Sequence, residues 1–102
     1  MKRILIICGA GASSGFMAKN IRKVVKERNL EYSFRARSDS EVDEYIGEID
    51  MLLLGPHLKY MYQDMVEYAR PYGVPVHVID QKAYGTLDGA AIVDFVVKEL
   101  GK

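Results

Sequence analysis

Cys8 is the one cysteine in a chain of 102 residues, and it stands where an apolar run gives way to small residues. The order is Arg3-Ile-Leu-Ile-Ile-Cys8, then Gly9-Ala-Gly-Ala-Ser-Ser-Gly15, then an amphipathic stretch opening near Phe16. A thiol at the mouth of a tight strand-to-helix turn is placed for nucleophilic chemistry. Backbone N–H groups at such a turn and helix N-terminus bind anions and favour the thiolate. Gly9, Ala10, Gly11, Ala12 and Gly15 have almost no side-chain bulk, so the backbone can wrap closely around a tetrahedral anion, and Ser13 and Ser14 add hydroxyl donors. The positive end of the helix contributes roughly 0.3–1 kcal/mol toward a nearby anion. Phosphoryl transfer needs little beyond positioning and charge stabilisation. The segment therefore reads as a phosphate-binding loop, P-loop-like in build, with Cys8 as its nucleophile. A buried structural cysteine is the plainer alternative.

The elements that must position this loop follow from hydrophobic periodicity. Residues 3–8 form a continuous apolar strand. Met17, Ile21, Val24 and Val25 recur at helical spacing between Phe16 and Arg28, opposite a basic stripe of Lys19, Arg22, Lys23 and Lys26. Residues 31–37 alternate Tyr32, Phe34 and Ala36 with Ser33, Arg35 and Arg37, the pattern of a half-exposed strand. Ser38-Asp-Ser-Glu41 is a capping box before a short helix carrying Val42, Ile46 and Ile49. Met51–Leu54 is a second wholly apolar strand, broken by Gly55-Pro56. A helix is expected from about His57 to Ala69, with Pro56 in its first turn and Leu58, Met61, Tyr62, Met65 and Val66 on one side. Pro71, Gly73 and Pro75 punctuate the loop before a fourth strand, Val76–Ile79. A loop or turn runs from Asp80 through Tyr84-Gly85, and Asp88 caps a last helix using Ala91, Ile92, Phe95, Val96 and Leu100.

Alternating strands and helices imply an α/β fold: one domain over residues 1–102, with a four-stranded parallel sheet and helices on both faces. Strands 1 and 3 are apolar on both sides and belong in the centre, whereas the alternating strand 2 belongs at an edge. Right-handed crossovers then give the order 2-1-3-4. Ligands in such sheets sit beyond the carboxyl ends of strands where the winding reverses, here between strands 1 and 3. That places Cys8 at the expected site by an argument independent of the loop's composition. His57, Asp80 and Tyr84 follow strands on the same rim. His57 either contacts the phosphoryl group or a partner, or is simply a solvent-facing residue at a helix start. Tyr84 and Asp80 either orient the loop or a partner, or build a structural turn. His77 lies in an edge strand and is expected to be inert.

Composition bounds the rest. Just under half the residues are apolar and about a quarter are charged, as in ordinary globular proteins. No apolar run approaches the roughly 18–20 residues needed to cross a bilayer, and the Arg3–Ile7 run is too short for a signal peptide. A single cysteine excludes an intramolecular disulfide and points to a reducing, cytosolic compartment. With one Cys and two His, neither a structural metal site nor a cofactor is expected. Net charge is zero, yet residues 1–37 hold nine of the 14 Lys and Arg, while residues 38–102 hold 12 of the 14 acids. This polarity, the basic helix stripe included, either marks docking surfaces for charged partners or is no more than solvated helix faces. Nucleic acid is not expected, because no basic domain with interleaved aromatics is present.

A cysteine phosphatase would use a similar cradle but needs more. Low-molecular-weight tyrosine phosphatases carry Cys, five residues, then Arg; here the corresponding position is Ser14, and no Asp-Pro acid appears later. Without a guanidinium and a general acid, a phosphocysteine turns over slowly with water. This is a defect in a hydrolase and an advantage in a carrier. Over essentially its whole length the chain resembles the IIB components of the bacterial phosphoenolpyruvate-dependent sugar phosphotransferase system, of the lactose/cellobiose type. The resemblance rests on Ile7-Cys8-Gly-Ala-Gly-Ala-Ser-Ser14, on Leu54-Gly-Pro-His-Leu-Lys-Tyr60-Met, and on Ile79-Asp-Gln-Lys-Ala-Tyr84-Gly-Thr-Leu-Asp88-Gly. It implies that Cys8 takes a phosphoryl group from a histidine of the IIA protein and passes it to a sugar bound by the membrane IIC protein. It also implies a four-stranded parallel sheet, and no cofactor or metal in this chain. Cellobiose, diacetylchitobiose and lactose systems share these features, a free-standing IIB fitting the cellobiose/chitobiose branch slightly better because lactose-type IIB domains are commonly fused to IIC. The chain departs from the family pattern at Gly9 and Ala12, where hydroxyl or Met side chains are usual, and at His57, where Gln is common. Two rivals come from other classes: a cysteine-dependent phosphatase-like hydrolase, and a non-catalytic regulatory docking module of the same fold.

Overall fold

The computed structural model describes residues 2–8, 13–86 and 88–101. Four strands, β1 (Lys2–Cys8), β2 (Tyr32–Ser38), β3 (Met51–Leu54) and β4 (Val76–Val78), form one sheet in the order β2-β1-β3-β4. All three pairings are parallel, with Ile4 opposite Phe34 and Met51, and Leu54 opposite Val78. The expected order therefore holds. Its cause is visible in the burial: Ile4 to Ile7 and Met51 to Leu54 are buried without interruption, whereas in β2 only Phe34 is buried and the strand takes an edge.

Helices cover both faces. On one, α1 (Ser13–Glu27), α4 (Gln81–Gly85) and α5 (Gly89–Leu100) pack Met17, Ile21, Ala83, Ile92, Val93 and Val96 against Ile4, Ile6, Phe34, Met51 and Leu53. On the other, α2 (Val42–Tyr45) and α3 (Tyr62–Ala69) bring Val42, Ile46 and Ala69 onto Leu5, Ile7, Leu52, Leu54 and Val76. At Gly89 α5 lies tightly against α1: a Cβ there would lie 2.8 Å from the backbone carbon of Asn20 and the backbone nitrogen of Ile21. An exposed ion pair ties Arg28, the residue after α1, to Asp94 of α5. The β4 edge of the sheet is short. β4 is three residues long and enters from Pro75, and its His77 ring meets Phe95 edge-on, centroids 5.1 Å apart.

Several boundaries differ from the sequence reading. Helix α1 begins at Ser13 rather than near Phe16, because periodicity marks only where apolar residues start, not where the backbone turns helical. The span from His57 to Ala69 is two pieces, a 3₁₀ segment over Pro56–Met61 followed by α3. The Leu58 N–H donates to Gly55 O at 2.8 Å, three residues back, which opens the segment with the tighter turn. Strand β4 stops at Val78, one residue early. The stretch after Asp80, expected as a loop, is the short helix α4, with Asp80 Oδ2 accepting the Ala83 N–H at 3.0 Å. The two expected caps form: Ser38 N donates to Glu41 Oε2 at 3.1 Å, and Ala91 N to Asp88 Oδ1 at 3.0 Å. Among the described residues no helix is long and apolar enough to cross a membrane.

Candidate functional site

The site is built where three strands end together. Cys8 is the last residue of β1, and the sheet register sets it opposite Ser38, the last residue of β2. On its other side the Gly55 N–H donates to Ile7 O at 2.9 Å, and the Ile79 N–H to Leu54 O at 2.8 Å. These bonds continue the ladder past the strands and hold Gly55-Pro56-His57 and Ile79-Asp80 level with the end of β1. The winding reverses between β1 and β3, since β2 lies to one side of β1 while β3 and β4 lie to the other. This is the position at which open parallel sheets accept ligands.

Of the residues expected to cradle an anion, Gly9, Ala10, Gly11 and Ala12 lie outside the described residues. The backbones of Ser13, Ser14 and Gly15 form the first turn of α1. They are thus helix residues rather than loop, which corrects the expected start of the helix near Phe16. The N–H groups of a first helical turn have no acceptor within the helix and carry its partial positive charge. Four residues separate the end of β1 from that turn, so Cys8 and the turn lie on the same rim of the sheet.

The remaining candidates divide. His57 and Tyr84 are 27 positions apart and on different elements, yet the fold brings their rings together, centroids 5.8 Å apart and tilted by 52°. His57 is exposed and Tyr84 half-buried, so the pair ties the turn after β3 to α4 along the rim. Asp80 is committed to capping α4. Ser38 is the residue the sequence reading treated only as a cap. Its hydroxyl is engaged with Ser40 Oγ at 2.9 Å. Two large apolar side chains stand exposed on segments that leave this rim, Phe16 on the first turn of α1 and Tyr60 on the 3₁₀ segment after β3.

Comparison with known proteins identifies the family of the chain. Residues 3–95 match the model of the family described as PTS system, lactose/cellobiose specific IIB subunit. The galactose-specific EIIB component of Lactococcus lactis is 29% identical over 97 residues, covering 90% of each chain. A lactose-specific EIICB component from Lacticaseibacillus casei is also 29% identical, over 95% of this chain but 17% of its own length. Among solved structures, the lactose-specific IIB domain of Streptococcus pneumoniae superposes with a TM-score of 0.86 over 95% of both chains. At 17% identity that likeness speaks to the fold alone. The family match spans nearly the whole chain, sheet, rim and cysteine together, and the chain belongs to the lactose/cellobiose-specific IIB subunits of the sugar phosphotransferase system.

Proposed function

We propose that Cys8 is the covalent phosphoryl carrier of this IIB subunit, working in the cytosol between a IIA donor and a membrane IIC acceptor. The Cys8 thiolate attacks phosphorus in a phosphohistidine of IIA; the S–P bond forms, the N–P bond breaks, and the imidazole leaves with the bonding pair. In the second step a hydroxyl oxygen of the IIC-bound sugar attacks the same phosphorus. The S–P bond then breaks, the thiolate is regenerated, and the hydroxyl proton passes to a base beside the sugar. Backbone amides of residues 9–15, with the Ser13 and Ser14 hydroxyls, hold the phosphoryl oxygens; Gly9 and Ala12 leave more of this to amides than to side chains. His57 and Tyr84 form one wall of the rim, and Asp80 holds α4 in place beneath Tyr84.

The observation that carries this reading is the ending of β1 at Cys8, at the switch point, with the first turn of α1 beginning after four intervening residues. The absence of an Arg at the sixth position after Cys8 favours a carrier over a hydrolase, because nothing there clamps the transition state for water attack. The EIICB relative joins the two roles in one name, which supports IIC as the acceptor's holder. Galactose- and lactose-specific relatives stand at equal identity, so the sugar is assigned to the partner and only its class to this chain.

The test mixes the protein with phosphoenolpyruvate, the general phosphotransferase proteins and a cognate-type IIA, and reads intact mass. One added phosphoryl group on the wild type, dependent on IIA and absent from Cys8→Ser, is the expected result. No added mass, with a IIA shown active on another IIB, overturns the proposal.

A further inference from the structure

A cavity lined by two arginines lies at the opposite end of the sheet. The parallel register sets Arg3 beside Ser33, Leu5 beside Arg35, and Ile7 beside Arg37, all on the face covered by α2 and α3. Everywhere else that face is apolar. Helix α2 is four residues long and cannot reach the amino-terminal half of β1 and β2, and a cavity of about 280 Å³ is left there. Arg3 and Arg35 line it with the Ser33 hydroxyl, the half-buried Tyr45 ring and Ile49; Glu48 is the one carboxylate on its wall.

Three features select a ligand. Among the described residues neither the Arg3 nor the Arg35 guanidinium is in an ion pair; Arg35 sits 5.9 Å from the centroid of the Tyr45 ring. Arg37 is not available, because it is bonded to Tyr45 Oη at 3.0 Å and to Ala36 O at 2.8 Å. Two planar donor forks from adjacent strands match an anion with three free oxygens better than a carboxylate, which a single fork satisfies. The volume lies near the lower end of small-ligand pockets, which begin at about 300 Å³. It admits a compact molecule rather than a polymer. Ser33 and Glu48 then offer a donor and an acceptor for hydroxyl groups, and Ile49 an apolar wall for a ring.

We propose that this cavity binds a small phosphate monoester of hexose-phosphate size, with Arg3 and Arg35 on the phosphate and Ser33, Tyr45 and Glu48 on the body. The site shares no residue with the Cys8 rim, and the proposal stands apart from the carrier reading. Residue-resolved amide NMR of the full chain tests it, with glucose-6-phosphate, inorganic phosphate and glucose as probes. The ester is expected to shift Ser33, Arg35 and Glu48 saturably and more tightly than inorganic phosphate, and glucose alone to leave them unmoved. Arg35→Gln and Arg3→Gln, both exposed and expected to fold, each weaken the ester by about tenfold or more, the scale of a lost charge-assisted hydrogen bond. Arg22→Gln, on the exposed face of α1, leaves it unchanged. Shifts confined to residues 8–16, equal affinity for inorganic phosphate, or full affinity in both arginine variants would each overturn the proposal. The mass measurement on Cys8 is unaffected by any of these outcomes.

Discussion

Gly89→Ala tests how tightly α5 is seated on α1. The added Cβ would lie 2.8 Å from Asn20 C and Ile21 N and 2.9 Å from Asn20 O, all backbone atoms of α1. Carbon contacts at van der Waals separation are about 3.5–4.0 Å, so the helices must part by about 0.7 Å or more. A rotamer change cannot relieve a clash with backbone. Overpacking of this kind costs about 1–3 kcal/mol. Ala in place of Gly offsets about 0.5–1 kcal/mol of that in a helix interior, and less at the first position of α5. The net loss is about 1–2 kcal/mol, which for a domain of this size lowers Tm by roughly 5–15 °C. Thermal unfolding followed by circular dichroism, wild type beside variant, reads this directly. An unchanged or raised Tm would refute the close approach of the two helices. Under the proposed function, the variant should also take up phosphoryl groups more slowly than wild type at a temperature where both are folded.

Three further outcomes are expected. Asp88→Ala removes the acceptor for the Ala91 N–H and should cost about 1 kcal/mol, while Asp88→Asn, an equally good cap, should cost little; paired urea titrations separate them. Arg28→Ala breaks the Arg28–Asp94 pair, whose side chains are 42% and 64% exposed, and should cost less than about 1 kcal/mol, so a double-mutant cycle with Asp94→Ala should find weak coupling. The hydrogen bond from Tyr68 to Asp43 holds the phenol protonated and pushes its pKa from 10.0 up to about 12. The unfolded chain releases that proton first, so the stabilisation is complete below pH 10 and is lost as pH rises toward about 12. Tyr68→Phe should flatten that part of the stability–pH curve, and an unchanged curve would show that the bond does not form.

The sheet was legible because its signal is redundant. Uninterrupted apolar runs at Ile4–Ile7 and Met51–Leu54 demand burial on both faces, and the alternation in residues 32–37 demands an edge, so the order followed without any tertiary information. Caps at Ser38 and Asp88 were readable because they are local. Helix α4 was not, since five residues are too few to display a period and its cap at Asp80 resembles any Asx turn. The start of α1 was missed by three residues because Ser13, Ser14 and Gly15 carry no apolar marker. The approach of His57 to Tyr84, the clash-free contact of Gly89 with Asn20, and the arginine-lined cavity depend on distances between elements. Sequence periodicity contains no such distances.

The shape of the sheet's two flanks governs how this protein behaves in crowded solution. Strand β4 offers three residues of open edge directly behind Pro75, and β2 carries Arg35 and Arg37 on its outer strand. Short, charged or proline-bounded edges are poor templates for a second chain to extend the ladder. The segments with the strongest tendency to self-assemble, Ile4–Ile7 and Met51–Leu54, are held in the two central strands. Once folded, the protein should stay dispersed at high concentration. Its losses to aggregation should fall instead during synthesis or refolding, before β1 has acquired both of its neighbours.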